Sequence, residues 1–176
     1  MRRLRYSVAA SLDGYIADAN GGFDWIPHDS SVDFAALFDR VDTVIMGRRT
    51  FDVMQAQSGP PFKAGTRVYV VSRTLQSESA PDITIVRDDP VKVASSLRHE
   101  TGSGDIWLFG GGRLFATLLA GAQVDAVEVT VVPVLLGAGI PLLQSGADRT
   151  ALSLTDSQVY RSGMVRLHYS VPSAAL

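Results

Sequence analysis

Short apolar runs rich in β-branched residues alternate along the chain with segments that repeat apolar residues at helical spacing. The apolar runs predict six strands, at Leu4–Ala10, Thr43–Gly47, Arg67–Ser72, Ile83–Val86, Asp105–Phe109 and Val124–Val134. The helical spacing predicts four helices, at Val32–Arg40, Thr50–Gln55, Pro90–Glu100 and Arg113–Ala120. This alternation is typical of a layered α/β fold with a mostly parallel central sheet.

The C-terminal segment follows a different pattern. Two extended runs, Ala151–Tyr160 and Met164–Val171, flank the sequence Arg-Ser-Gly, and apolar and polar residues alternate strictly along the second run. Such alternation predicts an antiparallel hairpin that closes the sheet with one face covered. The apolar strand over Val165–Val171 is also a candidate for pairing across a homodimer.

Composition places few limits on function. The chain has 176 residues, a length that fits one domain over residues 1–176, and its apolar content of 46% is ordinary for a globular protein. A net charge of −2 gives no indication of nucleic-acid binding, and the absence of cysteine excludes disulfides, thiolate metal sites and cysteine nucleophiles. No metal site is predicted. No apolar run approaches membrane-spanning length, so we expect a cytoplasmic enzyme or binding protein that works without a membrane.

The triplet Gly110-Gly111-Gly112 follows the predicted strand Asp105–Phe109 and leads directly into a predicted helix. The first amide N–H groups of a helix have no partner within the helix. Bare glycine backbone allows a phosphate to approach these donors and the positive end of the helix dipole. The triplet therefore predicts a diphosphate cradle, although a plain tight turn explains three glycines equally well.

Arginine, hydroxyl and glycine residues follow three of the predicted strands. The strand ends carry Gly47-Arg48-Arg49-Thr50, then Ser72-Arg73, then the glycine triplet with Arg113. Ligands of open parallel sheets collect beyond the carboxyl ends of the strands, and the forked guanidinium of arginine suits a phosphate monoester. The alternative is a structural corner in which Thr50 caps a helix and the arginines are solvated.

The order and spacing of these motifs resemble the dihydrofolate reductase-like superfamily. The resemblance rests on Ser11–Ala17 (SLDGYIA), Asp42–Phe51 (DTVIMGRRTF), Val70–Arg73 and Phe109–Gly112. With Pro133–Gly139 (PVLLGAG), the first motif is more similar to the riboflavin-biosynthesis reductase branch, the RibD C-terminal domain, here as a stand-alone domain. The resemblance implies a three-layer α/β/α fold and an NADPH-dependent reductase that acts on a ribosylaminopyrimidine or a pterin-like heterocycle.

The resemblance also implies where NADPH binds. The adenosine side with its 2′-phosphate is expected on Gly47, Arg48, Arg49 and Thr50, and the adenine ribose phosphate beside Ser72 and Arg73. The diphosphate is expected on Gly110, Gly111, Gly112, Arg113 and Leu114, and the nicotinamide beside Ala9 and Ile16. The small side chains of Ala9 and Ala10 would leave room for a flat ring, or they mark a tightly packed strand.

Reduction of a C=N bond also requires a proton, and three residues are candidates for supplying or positioning it. Asp33 is the nearest carboxylate to the position that holds the pterin in folate reductases, but Ser30 and Asp33 also match a helix capping box. Asp13 either orders a loop beside the active site or belongs to a plain Asp-Gly turn. Thr130 would bond the substrate, or it is simply a good strand former.

The segment Asp18–Trp25 combines Gly21-Gly22 with bulky apolar residues. This composition fits a lid that excludes water from hydride transfer, or plain core and dimer contacts. Two other functions stay open at this point: an NADP(H)-binding module without turnover, and a true dihydrofolate reductase.

Overall fold

The computed structural model describes residues 1–57, 62–76, 83–145 and 147–172. Its strands are β1 (Leu4–Ser11), β2 (Tyr15–Ala17), β3 (Val41–Gly47), β4 (Arg67–Val71), β5 (Thr84–Val86), β6 (Asp105–Gly110), β7 (Ala126–Val132), β8 (Ile140–Pro141), β9 (Ser153–Val159) and β10 (Val165–Ser170). Its helices are α1 (Phe34–Asp39), α2 (Arg48–Ala56), α3 (Pro90–His99) and α4 (Gly112–Ala120).

Eight strands form one sheet in the order β5-β4-β3-β6-β1-β7-β10-β9. Every pair from β5 to β7 is parallel, and β10 runs antiparallel to both of its neighbours. The predicted parallel sheet with a C-terminal antiparallel hairpin is confirmed. A separate two-stranded sheet of β2 and β8 was not predicted, because strands of three and two residues carry no readable alternation.

Helices cover both faces of the sheet, which gives the predicted three layers. On the first face, α3 and α4 pack over the central strands around Tyr6 and Leu108. On the second face, α1 and α2 pack over β3, β4 and Trp107 of β6. A smaller cluster around Val132 and Tyr160 covers the carboxyl ends of β1 and β7 on the second face. The carboxyl ends of the parallel strands and the starts of α2 and α4 therefore share one edge of the sheet, which we call the rim.

Two helix starts differ from the prediction. The first helix begins at Phe34 with Asp33 as its N-cap, so a capping role for Asp33 is confirmed, but its predicted place in a capping box with Ser30 is wrong. The second helix begins at Arg48 after an N-cap at Gly47, which places Thr50 inside the first turn and makes capping by Thr50 wrong as well.

The C-terminal hairpin ends the sheet, but its order excludes one expectation. Strand β10 has β7 on one side and β9 on the other, so the predicted pairing of Val165–Val171 with a second copy is wrong. The free edge belongs to β9, and all seven of its residues are exposed. None of the helices in the described ranges is long and apolar enough to cross a membrane.

Candidate cofactor and substrate site

The three predicted phosphate-binding segments lie side by side at the rim. Met46 of β3 is in register with Gly110 of β6, and Gly47 is in register with Val71, the last residue of β4. A Cβ atom placed on Gly47 would lie 3.8 Å from the backbone nitrogen of Gly111. The structure therefore brings together the ends of β3, β4 and β6, as the sequence predicts.

Two of the helices that begin at the rim, α2 and α4, have no side-chain cap from any described residue. Gly47 caps α2 and Gly111 caps α4, and neither start receives a side-chain hydrogen bond. By contrast, Asp33 accepts from the Ala36 amide at the start of α1, and Asp89 accepts from the Val91 amide at the start of α3. Two adjacent sets of free N–H donors, each at the positive end of a helix dipole, are suited to bind an anion.

The four rim arginines are not equivalent. Arg48 donates from Nε to Asp52 at 2.6 Å, one turn further along α2. Arg49, Arg73 and Arg113 are exposed and make no ion pair with any described residue. These three guanidinium groups can meet a phosphate without breaking an existing ion pair.

Three other predicted cofactor residues have restricted roles. The buried hydroxyl of Ser72 accepts from the Thr74 and Leu75 amides at 3.2 and 3.0 Å, so its oxygen already stabilises the turn after β4. The side chain of Leu114 is buried in the first-face core, which leaves only its amide for a ligand. Thr50 packs beside Gly110, whose peptide bond to Gly111 is cis.

The backbone pairing between β1 and β6 ends before the rim. The two strands pair only from Leu4 to Tyr6, whereas β1 continues to pair with β7 as far as Ser11. Beyond this pairing, the indole N–H of Trp107 donates to the Ser7 carbonyl at 3.0 Å. Backbone pairing between β1 and β6 thus ends before Ala9, so among the described strands only β7 pairs with β1 at that position.

The residues predicted to line the nicotinamide lie on different faces. Ala9 packs against the cluster around Val132 on the second face, whereas Ala10 is buried in the first-face core. Only Ala9 can therefore line a ring on the second face, and the tight-packing alternative holds for Ala10. Ile16 of β2 packs against the first-face core.

Thr130 lies directly beside Ala9. It is in register with Ala9 on one side and with Arg166 of β10 on the other, and residues in register share a face. Thr130 is half-buried, and no hydrogen bond joins its side chain to a described residue. The structure thus brings the predicted substrate residue and one predicted nicotinamide residue together.

A buried ionic cluster lies below Thr130 on the second face and was missed by the sequence analysis. The guanidinium of Arg5, 1% exposed, bonds both Glu128 and Asp105. His168 lies 3.8 Å from Glu128, and burial lowers the pKa of this imidazole while the charge of Glu128 opposes the shift. The signal was available, because a glutamate inside the valine-rich strand β7 requires a buried partner.

The carboxylate of Asp33 and that of Asp29, four residues before it, are bonded to backbone amides. Asp33 is exposed and accepts from the Ala36 amide at 2.9 Å. Asp29 accepts from the Ser31 amide and hydroxyl and from the Ser162 amide, and the hydrogen bonds from Ser162 and Ser31 hold its pKa well below the usual value. Both carboxylates thus have structural partners, and catalysis by Asp33 stays a prediction.

Asp13 joins two loops at the rim. Its carboxylate accepts from the Ser11 hydroxyl at 2.6 Å, from the Gly137 amide at 2.7 Å and from the Leu136 amide at 3.1 Å. The bond from Ser11, followed by those from the two amides, holds the pKa of Asp13 below its usual value. An ionised carboxylate of this kind is a poor proton donor near neutral pH.

The segment predicted as a lid is internally bonded. Asp18 accepts from the Asn20 and Gly22 amides at 2.7 and 2.8 Å, and its own amide donates to the Gly22 carbonyl. Trp25 packs against the cluster around Val132. This geometry favours the core-contact alternative for Trp25, and lid closure stays a prediction.

A groove lies beside α3, the helix that follows β5. The groove, of about 530 Å³, runs between α3 and β4. Its lining comprises Tyr69, Asp88, Asp89, Lys92, Val93, Ser96, Leu97 and Glu100. Three carboxylates against one lysine make it unsuitable for a phosphate-rich ligand.

The family model of the RibD C-terminal domain matches residues 2–166 of this chain. The chain belongs to the RibD C-terminal domain family. The resemblance read from the motifs is thereby confirmed for the family.

Two curated relatives come from Bacillus subtilis (strain 168). YyaP is 30% identical over 96% of this chain and 94% of its own length. YwjB is 31% identical over 96% of this chain and 97% of its own length. Both are proteins without a characterised function.

Solved structures share the fold. A provisionally assigned riboflavin biosynthesis protein from Shewanella sp. PV-4 matches with a TM-score of 0.83 and 28% identity over 98% of this chain and 99% of its own. A deaminase/5-amino-6-(5-phosphoribosylamino)uracil reductase from Thermotoga maritima matches with a TM-score of 0.70 and 19% identity over 97% of this chain and 57% of its own. The dihydrofolate reductase-like three-layer fold is confirmed.

Proposed function

We propose that this protein is an NADPH-dependent reductase that transfers hydride to a planar heterocycle of the ribosylaminopyrimidine or pterin type. The observation that carries the proposal is the pair of uncapped helix starts at the rim, beside exposed arginines. Membership of the RibD C-terminal domain family supports the reductase class. The names of the Shewanella and Thermotoga proteins support a substrate related to riboflavin biosynthesis.

The rim fits a dinucleotide with a 2′-phosphate. The amides of Gly112, Arg113 and Leu114 at the start of α4 would hold the diphosphate, since no side chain caps them. Arg49 at the start of α2 is the better candidate for the 2′-phosphate, because Arg48 is already bonded to Asp52. When bound, NADPH supplies the hydride.

The substrate side is the second face beside Ala9 and Thr130. The end of the β1–β6 pairing before Ala9 would give a flat ring access to this face, and the hydroxyl of Thr130 would bond a polar edge of the substrate. Asp13 and Asp33 are both bonded to backbone amides. We therefore propose that an ordered water molecule held by Thr130 supplies the proton. The rate enhancement would come from positioning the substrate against the cofactor and from excluding bulk water.

The test is NADPH oxidation, followed at 340 nm with ribosylaminopyrimidine phosphate and with dihydrofolate as separate substrates. The proposal expects turnover with one of these heterocycles and a preference for NADPH over NADH. No oxidation with either heterocycle, measured on protein shown by calorimetry to bind NADPH, would reject the reductase.

One alternative has an observation in its favour. The carboxylates of Asp13, Asp29 and Asp33 all accept hydrogen bonds from backbone amides, so an NADP(H)-binding module without turnover is compatible with this site. The same observation argues against assignment as a true dihydrofolate reductase, since that enzyme holds its pterin with a free carboxylate. The oxidation assay distinguishes the three functions.

We also propose a homodimer that uses the hairpin of β9 and β10. Strand β9 is an exposed edge, and Leu154 and Val159 on it are 57% and 74% exposed. Exposed apolar side chains on an unpaired edge are typical of an interface. Sedimentation velocity should give a dimer for the native protein and a monomer for Leu154→Asp with Val159→Asp. A native protein that remains monomeric at about 100 μM would reject the proposed homodimer.

A further inference from the structure

The Asp13 carboxylate holds a loop more than a hundred residues away. The amides of Leu136 and Gly137 both point at it, and Gly137 has a left-handed backbone with φ of +73°. Two successive amides in this conformation form a concave anion site of the kind found around phosphates. Here the anion is the protein's own carboxylate, so β1 is joined to the segment after β7.

That segment continues to the rim. After Gly137 the chain forms β8, which pairs with β2, and the Leu142 amide donates to the Gly14 carbonyl at 2.9 Å. The turn at Asp13 thus contacts both ends of the segment 136–142. Its position is set by bonds to the β1–β2 turn at either end.

The end of this segment presses on the first residue of α4. A Cβ atom on Gly112 would lie 2.5 Å from the Pro141 carbonyl oxygen and 3.0 Å from that of Leu142. Such close approach leaves no space between β8 and the helix start. Displacement of the segment 136–142 would therefore change the surroundings of the amides at the start of α4.

We propose that Asp13 is a positioning residue that sets the segment 136–142 against the start of α4 and so fixes the geometry of the diphosphate cradle. The proposal rests on the function proposed above, because it takes the α4 amides as the cradle. Asp13 itself touches neither cofactor nor substrate. Loss of the Asp13 carboxylate lowers cofactor affinity because the segment 136–142 is no longer held in place. The carboxylate takes no part in proton transfer.

The test compares Asp13→Asn with a matched control, Asp29→Asn. Asp29 is also a carboxylate with a lowered pKa that receives a backbone amide from a distant segment, at Ser162. Its bonds join the loop before α1 to the turn after β9 and involve no residue of 136–142. Both variants lose similar local bonds, and only Asp13→Asn should affect the cradle.

Two readouts apply to each variant. Calorimetric titration with NADP⁺ should show affinity about ten-fold weaker for Asp13→Asn and unchanged for Asp29→Asn. In the cofactor-free protein, hydrogen exchange of the Leu142 and Phe115 amides should be faster only in Asp13→Asn. The Phe115 amide makes the first bond of α4, to the Gly111 carbonyl at 3.0 Å, and so reports on the helix start.

Several outcomes would overturn the proposal: unchanged NADP⁺ affinity in Asp13→Asn, equal loss in both variants, or faster exchange confined to Leu136 and Gly137. If the native protein binds no NADP⁺, the proposed function fails, and hydrogen exchange of the Leu142 and Phe115 amides in the cofactor-free protein still tests whether Asp13 positions the segment 136–142. Gly137→Ala is the second variant if Asp13→Asn does not fold. Its Cβ has open space around it, but its left-handed backbone is strained, so affinity should fall in the same direction.

Discussion

Replacing Arg49 with alanine tests the assignment of the 2′-phosphate. The side chain is exposed at the first turn of α2 and makes no ion pair with a described residue, so its loss should leave the fold intact. A charge-assisted hydrogen bond contributes about 1.5 to 3 kcal/mol, and solvent exposure places this contact near the lower end. The expected result is about ten-fold weaker binding of NADPH with unchanged binding of NADH.

Arg48→Ala is the matched control for this prediction. Arg48 occupies the neighbouring position but is bonded to Asp52 at 2.6 Å, so its removal should change the NADPH preference by only about two-fold. Calorimetric titrations of both variants with both cofactors, at low and at high salt, measure the difference. Salt should reduce the preference of the native protein, since exposed charges are screened. Equal losses for NADPH and NADH in Arg49→Ala, or an equal effect of Arg48→Ala, would refute the assignment.

Three further predictions concern residues of the second face. Asp33→Ala should lower the free energy of unfolding by about 1 kcal/mol through loss of the α1 cap. Asp33→Asn should keep both stability and activity, because asparagine is also a good N-cap. Loss of activity in Asp33→Asn would instead identify Asp33 as the proton donor. Glu128→Ala should destabilise by about 1.5 to 3 kcal/mol in urea unfolding, because it removes one hydrogen-bond partner of the buried Arg5 while Asp105 remains; a cost under 1 kcal/mol would contradict this. Because burial lowers the pKa of His168, the unfolded chain binds the proton more readily, so the free energy of unfolding should fall as the pH drops below 6.5. His168→Gln should reduce that decline between pH 7.5 and 5.5, and an unchanged decline would assign it to other groups.

Much of the fold could be predicted because its signals are local. The β-branched runs around Val44, Val70 and Val129 identify strands, and the glycines after β3 and β6 identify the turns that lead into helices. The predicted rim depends only on parallel strands ending at one edge, so its arginines and glycines could be grouped without coordinates.

The remaining features depend on tertiary contacts. Ser30 and Asp33 both carry an acceptor suited to a helix start, so their residue types do not decide between them, and in the structure Asp33 caps α1. The two backbone amides bonded to Asp13 lie 123 and 124 positions away, so no local pattern relates them to it. The lone Glu128 predicts a buried partner in principle, but the choice of Arg5 follows from the pairing of β1 with β7.

The central claim is that the two uncapped helix starts bind the phosphates of NADPH. Amide NMR spectra recorded during titration with NADPH test it residue by residue. Saturable shifts are expected at the starts of α2 and α4, in the amides of Arg48–Thr50 and of Gly112–Leu114. Shifts confined to the groove beside α3, at Lys92 and Val93, or no saturable shift at all, would contradict it.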